Sequence, residues 1–242
     1  MPPERARAIA WSVLRIVVAA AIAAAVVAQL IRSVGISVDR GWPVGATVVD
    51  FFSFFTIASN CGAMVALTIG GLIGLSRARV DPHWFAVLLA CVSTYMLITG
   101  LVYNLLLRGI PLPQGSTVPW SNEILHVWGP LFVLLDVLVA PKRRVAPWST
   151  LGAIVVFPVV WLGYTLVRGP LVHDFRTGAD HWYPYPFLNP GLQAWGYGGV
   201  ALYVLVIAAA VIGIGALVVL AARRLGTSPA AGNAVPDAPP AG

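Results

Sequence analysis

Two polar residues of the sequence lie inside long apolar segments, and their side chains together are suited to covalent hydrolysis. Thr56 falls within the run 48–75, and His126 falls within the run 123–140. A hydroxyl becomes an effective nucleophile when an adjacent base takes its proton, and an imidazole transfers protons in both directions near neutral pH. We therefore predict that Thr56 is a nucleophile and that His126 is its general base.

Other polar residues accompany Thr56 on the same segment. Ser53, Thr56 and Asn60 are spaced so that they share one stripe of a helix. Asn60 is a candidate to orient the base or to donate a hydrogen bond to a developing oxyanion, which is worth roughly 3–4 kcal/mol when the donor is well placed. Ser59 is an alternative hydroxyl for the nucleophile.

Two polar residues precede His126 on the other segment. Asn122 and Glu123 lie four and three residues before it, so the three side chains share a helix face. Asn122 is a candidate to orient the imidazole or to bind the oxyanion, and Glu123 is an alternative third member of the catalytic group. A structural role is equally open for His126, because polar side chains inside a membrane also form interhelical hydrogen bonds, each worth about 0.6–2 kcal/mol.

The composition indicates which elements carry these residues. The chain has 242 residues, of which 59% are hydrophobic and only 10% charged, and its mean hydropathy is +0.85. A transmembrane helix needs about 20 mainly apolar residues. Six runs approach or exceed that length: 9–31, 48–75, 84–107, 123–140, 149–167 and 195–222. The sequence therefore predicts an all-α fold, an integral membrane bundle of six transmembrane helices.

The basic residues predict how this bundle is oriented. Cytoplasmic loops carry an excess of Lys and Arg, and the densest clusters fall on the side that would hold both termini. These clusters contain Arg5, Arg7, Arg77, Arg79, 142–144, Arg223 and Arg224. We predict a multi-pass protein of the plasma membrane with both termini in the cytoplasm, an arm over 1–8 and a disordered tail over 223–242. Arg15, inside the first span, is expected to reach the cytoplasmic headgroups.

The same charges do not indicate a nucleic-acid surface or a metal site. The basic clusters lack interleaved aromatic residues, which are typical of nucleic-acid binding. The two cysteines, Cys61 and Cys91, lie in separate spans and are too few to hold a metal ion. No nucleic-acid partner and no cofactor are therefore expected.

Three motifs resemble the androgen-induced family of six-helix membrane hydrolases. They are Phe54-Phe-Thr56, Asn122-x-x-x-His126 followed by Pro130, and Trp182-Tyr-Pro-Tyr185-Pro-Phe-Leu188. Their order and rough spacing agree with that family over nearly the whole membrane domain. The alanine- and arginine-rich composition is similar to that of a bacterial branch.

The resemblance implies an intramembrane threonine hydrolase of fatty acyl esters, such as fatty acid esters of hydroxy fatty acids, with membrane lipids as partners. By motif it implies Thr56 as nucleophile, His126 as base and Tyr185 as a residue near the substrate or oxyanion. The chain departs from the family after Thr56, where it reads Thr-Ile-Ala-Ser-Asn, and Ser59 therefore stays open as nucleophile. The loop 168–194 is expected to cap the site.

Other classes of function stay open. A transporter or proton-coupled carrier would use its intramembrane ionisable residues as a relay. A haem protein would need a second axial ligand opposite a histidine. A non-catalytic lipid-binding protein would keep the fold and the apolar interior without the chemistry. The residues that could form part of such a relay are Asp50, Glu123, His126 and Asp136.

Overall fold

The computed structural model describes residues 2–76, 80–110 and 116–227. Within these ranges, six helical segments are long and apolar enough to cross a membrane, which confirms the predicted all-α bundle of a multi-pass membrane protein. The segments are Pro3–Arg40, Phe55–Leu75, His83–Leu107, Pro119–Val139, Thr150–Leu171 and Tyr197–Leu225. The predicted disordered tail over 223–242 is wrong at its start, because residues 223–225 belong to the last helix. Arg77, Arg79 and the tail beyond residue 227 lie outside the described ranges.

The α-helices are numbered along the chain, and α4 lies at the centre, in contact with α3, α6, α7 and α8. They are α1 (Pro3–Arg40), α2 (Val44–Ser53), α3 (Phe55–Leu75), α4 (His83–Val102), α5 (Pro119–Glu123), α6 (Gly129–Val139), α7 (Thr150–Arg168) and α8 (Tyr197–Leu225). Residues 169–196 connect α7 to α8. We call the end of the bundle at which this connection lies the loop end, and the opposite end, where α1 begins and α8 finishes, the termini end.

The prediction of one continuous helix over 48–75 is wrong, because the chain breaks at Phe54. Phe54 has an extended backbone (φ −71°, ψ 131°), and it separates α2 from α3. The Trp161 indole donates a hydrogen bond of 3.0 Å to the carbonyl of Ser53. In a continuous helix, this carbonyl would instead accept a backbone hydrogen bond. Ser53 therefore leaves the predicted stripe, and Thr56 becomes the second residue of a helix of 21 residues, about 31 Å long.

The fourth membrane span is also interrupted, at Pro130. The segment Ile124–Trp128 is a π-helix between α5 and α6, in which the N–H of Gly129 bonds the carbonyl of Ile124, five residues earlier. The same register would direct the next donor, residue 130, to the carbonyl of Leu125, but proline has no N–H. A second π-helical segment, Tyr103–Leu107, extends α4. Such segments inside α-helices are frequent at functional sites.

Two asparagines from neighbouring helices complete the hydrogen bonds that Pro130 leaves open. Asn60 Nδ2 donates to the carbonyl of Leu125 at 3.1 Å, and Asn104 Nδ2 donates to the carbonyl of His126 at 3.2 Å. A buried carbonyl without a donor is costly in a membrane, where no water replaces the lost bond. These amides therefore fix the His126 segment against both α3 and α4.

Arg15 does not reach toward the headgroups as predicted, because it forms a buried ion pair. Its Nε and Nη2 lie 2.7 and 2.9 Å from the two carboxylate oxygens of Asp136, and the Trp11 indole donates a third hydrogen bond to this carboxylate. Arg15 is 3% exposed and Asp136 is fully buried. The two opposite charges neutralise each other, so their burial is tolerated. This ion pair joins α1 to α6 near the termini end.

Candidate functional site

Thr56 lies in the first turn of α3, where backbone N–H groups have no partner within the helix. Its N–H donates to the phenol oxygen of Tyr185 at 3.2 Å, and its Oγ1 lies 3.2 Å from the same oxygen. The residue is 8% exposed. The break at Phe54 therefore brings together the Thr56 hydroxyl, the start of α3 and a second hydroxyl from the connection 169–196.

Aromatic rings hold Tyr185 in this position. Its ring stacks on Phe187, with centroids 5.2 Å apart and planes 4° apart, and it meets Phe54 edge to face at 5.6 Å. Burial raises the pKa of the Tyr185 phenol. The phenol is therefore neutral at physiological pH and keeps a proton to donate to an oxygen beside Thr56.

An apolar cavity of about 140 Å³ adjoins these two hydroxyls. Its walls come from the start of α3, the loop-end half of α4, the middle of α7 and α8, and the turn Pro186–Leu188. Dry apolar cavities of comparable volume bind small hydrocarbons. Within the described residues, the wall contains no charged side chain, and its hydroxyl groups belong to Thr56, Thr99, Tyr103 and Tyr185.

His126 lies behind one wall of this cavity. Its Nδ1 is 2.9 Å from the carbonyl oxygen of Asn122, and its imidazole stacks on the Tyr103 ring with centroids 3.8 Å apart. A carbonyl only accepts hydrogen bonds, so Nδ1 carries the hydrogen in the neutral ring and Nε2 is left as the basic nitrogen. The side chain of Asn122 donates instead to the Tyr103 hydroxyl at 2.6 Å.

Thr56 and His126 are linked through Asn60 rather than directly. Among the described residues, no hydrogen bond joins the Thr56 hydroxyl to the imidazole. Asn60 Nδ2 donates both to the carbonyl of Thr56 at 2.9 Å and to that of Leu125, the residue before His126. The two predicted catalytic residues therefore lie on neighbouring helix segments joined by one amide nitrogen, and their catalytic roles remain predictions.

The other predicted site residues take separate positions. Ser59 is buried, with its Oγ 3.0 Å from the carbonyl of Thr56 and 2.8 Å from Thr99 Oγ1, and it does not line the cavity. Glu123 is half-exposed and pairs with Arg108, with both carboxylate oxygens 2.9 Å from Nη2. Within the described residues, neither side chain is hydrogen-bonded to His126.

Two groups at the loop end have contacts that the sequence did not predict. Tyr103, which stacks on His126 and lines the cavity, lies four residues after Thr99, and this spacing on an apolar run was the available signal. Asp50 is 1% exposed and is bonded by Arg168 at 2.7 Å and Arg176 at 3.0 Å. No local sequence pattern connects Asp50 to arginines more than 100 residues away.

The ion pairs of Asp50 fasten the connection 169–196 over the cavity. The Arg168 guanidinium lies 4.9 Å from the centroid of the Trp182 ring. The backbone N–H of Trp182 donates a hydrogen bond to the carbonyl of Gly169. Trp182 in turn meets Phe54 edge to face, at 5.8 Å. The arginine that binds Asp50 therefore also orders the segment that presents Tyr185 to Thr56.

Comparison with known proteins found no matching family model, no similar curated protein and no similar solved structure.

Proposed function

We propose that this protein is an integral membrane hydrolase that cleaves fatty acyl esters, with Thr56 as the nucleophile and His126 as the base. The observation that carries the proposal is the position of the Thr56 hydroxyl, beside an apolar cavity and 3.2 Å from the Tyr185 phenol, which also accepts a hydrogen bond from the Thr56 N–H. An acyl chain fits the apolar walls, and an ester carbonyl is then next to the hydroxyl.

The chemistry proceeds in two steps. The Thr56 oxygen attacks the ester carbonyl while its proton passes to Nε2 of His126. The negative charge that develops on the carbonyl oxygen is stabilised by the O–H of Tyr185, whose oxygen lies 3.2 Å from the Thr56 hydroxyl. When the tetrahedral intermediate collapses, the alcohol leaves with the proton from His126. Water then hydrolyses the acyl-threonine by the same transfers in reverse order.

The proton transfer requires the Tyr103 ring to move. In the structure this ring covers the imidazole and forms part of the cavity wall. We propose that an acyl chain in the cavity displaces the ring and lets Nε2 approach the Thr56 hydroxyl. The π-helical backbone on both sides of the stack, which is less regular than an α-helix, favours such a movement.

The orientation and location belong to the same proposal. We place the termini end in the cytoplasm and the loop end outside, in the plasma membrane, because the basic clusters gather at the termini end. The site then lies near the outer leaflet.

A fluorophosphonate probe with an alkyl chain tests the nucleophile, because such probes phosphonylate activated hydroxyls. We expect labelling at Thr56, found by mass spectrometry of peptides, and loss of both labelling and ester hydrolysis in Thr56→Ala and His126→Ala. Ser59→Ala is the matched control, because Ser59 lies on the same helix outside the cavity, and it should keep both activities. Hydrolysis by Thr56→Ala at the wild-type rate would refute the assignment.

A second candidate function is non-catalytic binding of acyl lipids. The absence of a direct hydrogen bond between Thr56 and His126, within the described residues, favours it. It predicts that acyl ligands bind while no variant hydrolyses esters. A carboxylate relay is not favoured, because each of its acidic groups is held by an arginine. The pairs are Asp50 with Arg168, Glu123 with Arg108 and Asp136 with Arg15.

A further inference from the structure

The cavity beside Thr56 reaches the lipid-facing surface of the bundle. Two of its wall residues, Val159 of α7 and Ile212 of α8, are 59% and 52% exposed. Both lie near the middle of their membrane-spanning segments, so their exposed faces meet lipid rather than water. Ala208, one turn from Ile212, lines the same cavity and is exposed as well. The seam between α7 and α8 is therefore the part of the cavity wall that faces the bilayer.

The polarity of the cavity changes along the bundle axis. Thr56 and Tyr185 stand at the loop end, where α3 begins and the connection 169–196 lies. Toward the termini end, α7 and α8 contribute aliphatic side chains, of which Val155 and Ile212 lie deepest. On α8 the wall runs from Val204 to Ile212, a length of about 12 Å. The cavity is thus a short apolar channel with hydroxyl groups at one end.

We propose that a single fatty acyl chain enters this cavity sideways from the bilayer, through the seam between α7 and α8. It lies with its carbonyl end at Thr56 and its tail directed toward the termini end. A hydrocarbon chain is the ligand that the walls select, because no charged residue lines them within the described chain and the seam faces lipid. The fate of the carbonyl rests on the proposed hydrolase function, whereas binding of the chain does not require it.

A photoreactive fatty acid with a diazirine in its chain, added to the protein in lipid nanodiscs, tests this route. After illumination, mass spectrometry of peptides locates the labelled residues. In the wild-type protein we expect labelling concentrated on 155–162 and 204–212. Ala208→Trp fills the seam with an indole ring and should reduce this labelling several-fold.

Matched variants separate a blocked opening from a damaged fold. Ala209→Trp places the same side chain on the neighbouring position of α8, which is exposed but does not line the cavity, and it should label like the wild type. Val159→Trp and Val160→Trp form the equivalent pair on α7, because Val160 is exposed outside the cavity. Equal labelling of Ala208→Trp, Val159→Trp and the wild type would overturn the proposal, as would labelling spread evenly over all lipid-facing helices.

Enzyme assays distinguish this inference from the proposed function. Thr56→Ala should keep the labelling pattern and lose hydrolysis. The two blocking variants should hydrolyse long-chain esters more slowly than their controls, Ala209→Trp and Val160→Trp. The expected labelling pattern without any ester hydrolysis would support the acyl site and refute the hydrolase.

Discussion

The ring of Tyr103 lies flat against the imidazole of His126, with centroids 3.8 Å and planes 22° apart. Tyr103 forms part of the cavity wall and His126 does not, so the predicted base lies against a residue of the wall rather than in the cavity.

Removing the Tyr103 ring should therefore expose the imidazole to reagents in the cavity. We expect Tyr103→Ala to increase the rate at which diethylpyrocarbonate modifies His126 several-fold, measured on the His126 peptide by mass spectrometry. Tyr103→Phe is the control, because it keeps the ring and loses only the hydrogen bond to Asn122. Equal modification rates in the alanine variant and the wild type would show that this ring does not shield the base.

The hydrogen bond from Asn60 to Leu125 should depend energetically on Pro130. Asn60→Ala leaves the Leu125 carbonyl without a donor, at a cost of about 1–2 kcal/mol in the free energy of unfolding. In a Pro130→Ala background, residue 130 has an N–H that can take over this carbonyl, so the cost of Asn60→Ala should fall by about 1 kcal/mol. The free energy of unfolding in mixed micelles is measured for the wild type, the two single variants and the double variant. Strictly additive costs would contradict the compensation.

The ion pairs of Asp50 should control how often the connection 169–196 opens. Asp50→Asn removes a buried charge that two arginines bind, and loss of one partner of a buried pair costs about 3–5 kcal/mol. We expect much faster hydrogen exchange at the Trp182 amide, measured by mass spectrometry. Glu123→Gln is the control, because it breaks the exposed pair with Arg108, which is worth no more than about 1 kcal/mol. Unchanged exchange in Asp50→Asn would exclude this fastening role.

Asp81, in the turn between α3 and α4, should make the protein more stable at mildly acidic pH. Burial raises the pKa of its carboxyl from 3.8 to about 6, against the charges of Arg15, Lys142 and Arg143 and together with that of Asp136. Between these two pH values, the Asp81 carboxyl is protonated in the folded protein and ionised in the unfolded chain. The stability contribution is complete below pH 3.8 and is lost as the pH rises through 6.

The Asp81→Asn variant tests the sign of this effect. It should be more stable than the wild type at pH 7, by up to about 3 kcal/mol, the free energy equivalent of a pKa shift of two units. Its stability should also vary less between pH 4 and 6. A variant that is less stable than the wild type at pH 7 would mean that Asp81 acts through an ion pair.

The sequence predicted the helices well and their interruptions poorly. Six apolar runs were enough to indicate six spans, because hydrophobic length is a local property. The break at Phe54 carries no glycine or proline, and it depends on contacts with Trp161, Trp182 and Tyr185, which lie more than 100 residues away. Pro130 did mark the fourth span, although the sequence alone did not show that Asn60 and Asn104 complete its hydrogen bonds.

The candidate site was predicted in its residues more than in its contacts. Thr56 and Tyr185 were both selected, Tyr185 from a resemblance, and the structure brings their oxygens within 3.2 Å. Asn60 and Asn122 were selected as groups that act on substrate or base, whereas their amides bind backbone carbonyls and Tyr103 in this structure. A polar side chain in an apolar run indicates that it has a hydrogen-bond partner, but the identity of that partner cannot be predicted from the sequence.

The sequence by itself determined that this is a membrane-spanning helical protein with a few polar residues near one end, because composition and run length fix how each segment partitions between water and lipid. Only the tertiary structure decided where a span breaks, which arginines neutralise Asp50 and Asp136, and that a phenol ring stacks on His126. The physical reason is that these features depend on short-range contacts between residues far apart in the chain, and such contacts exist only once the helices have packed.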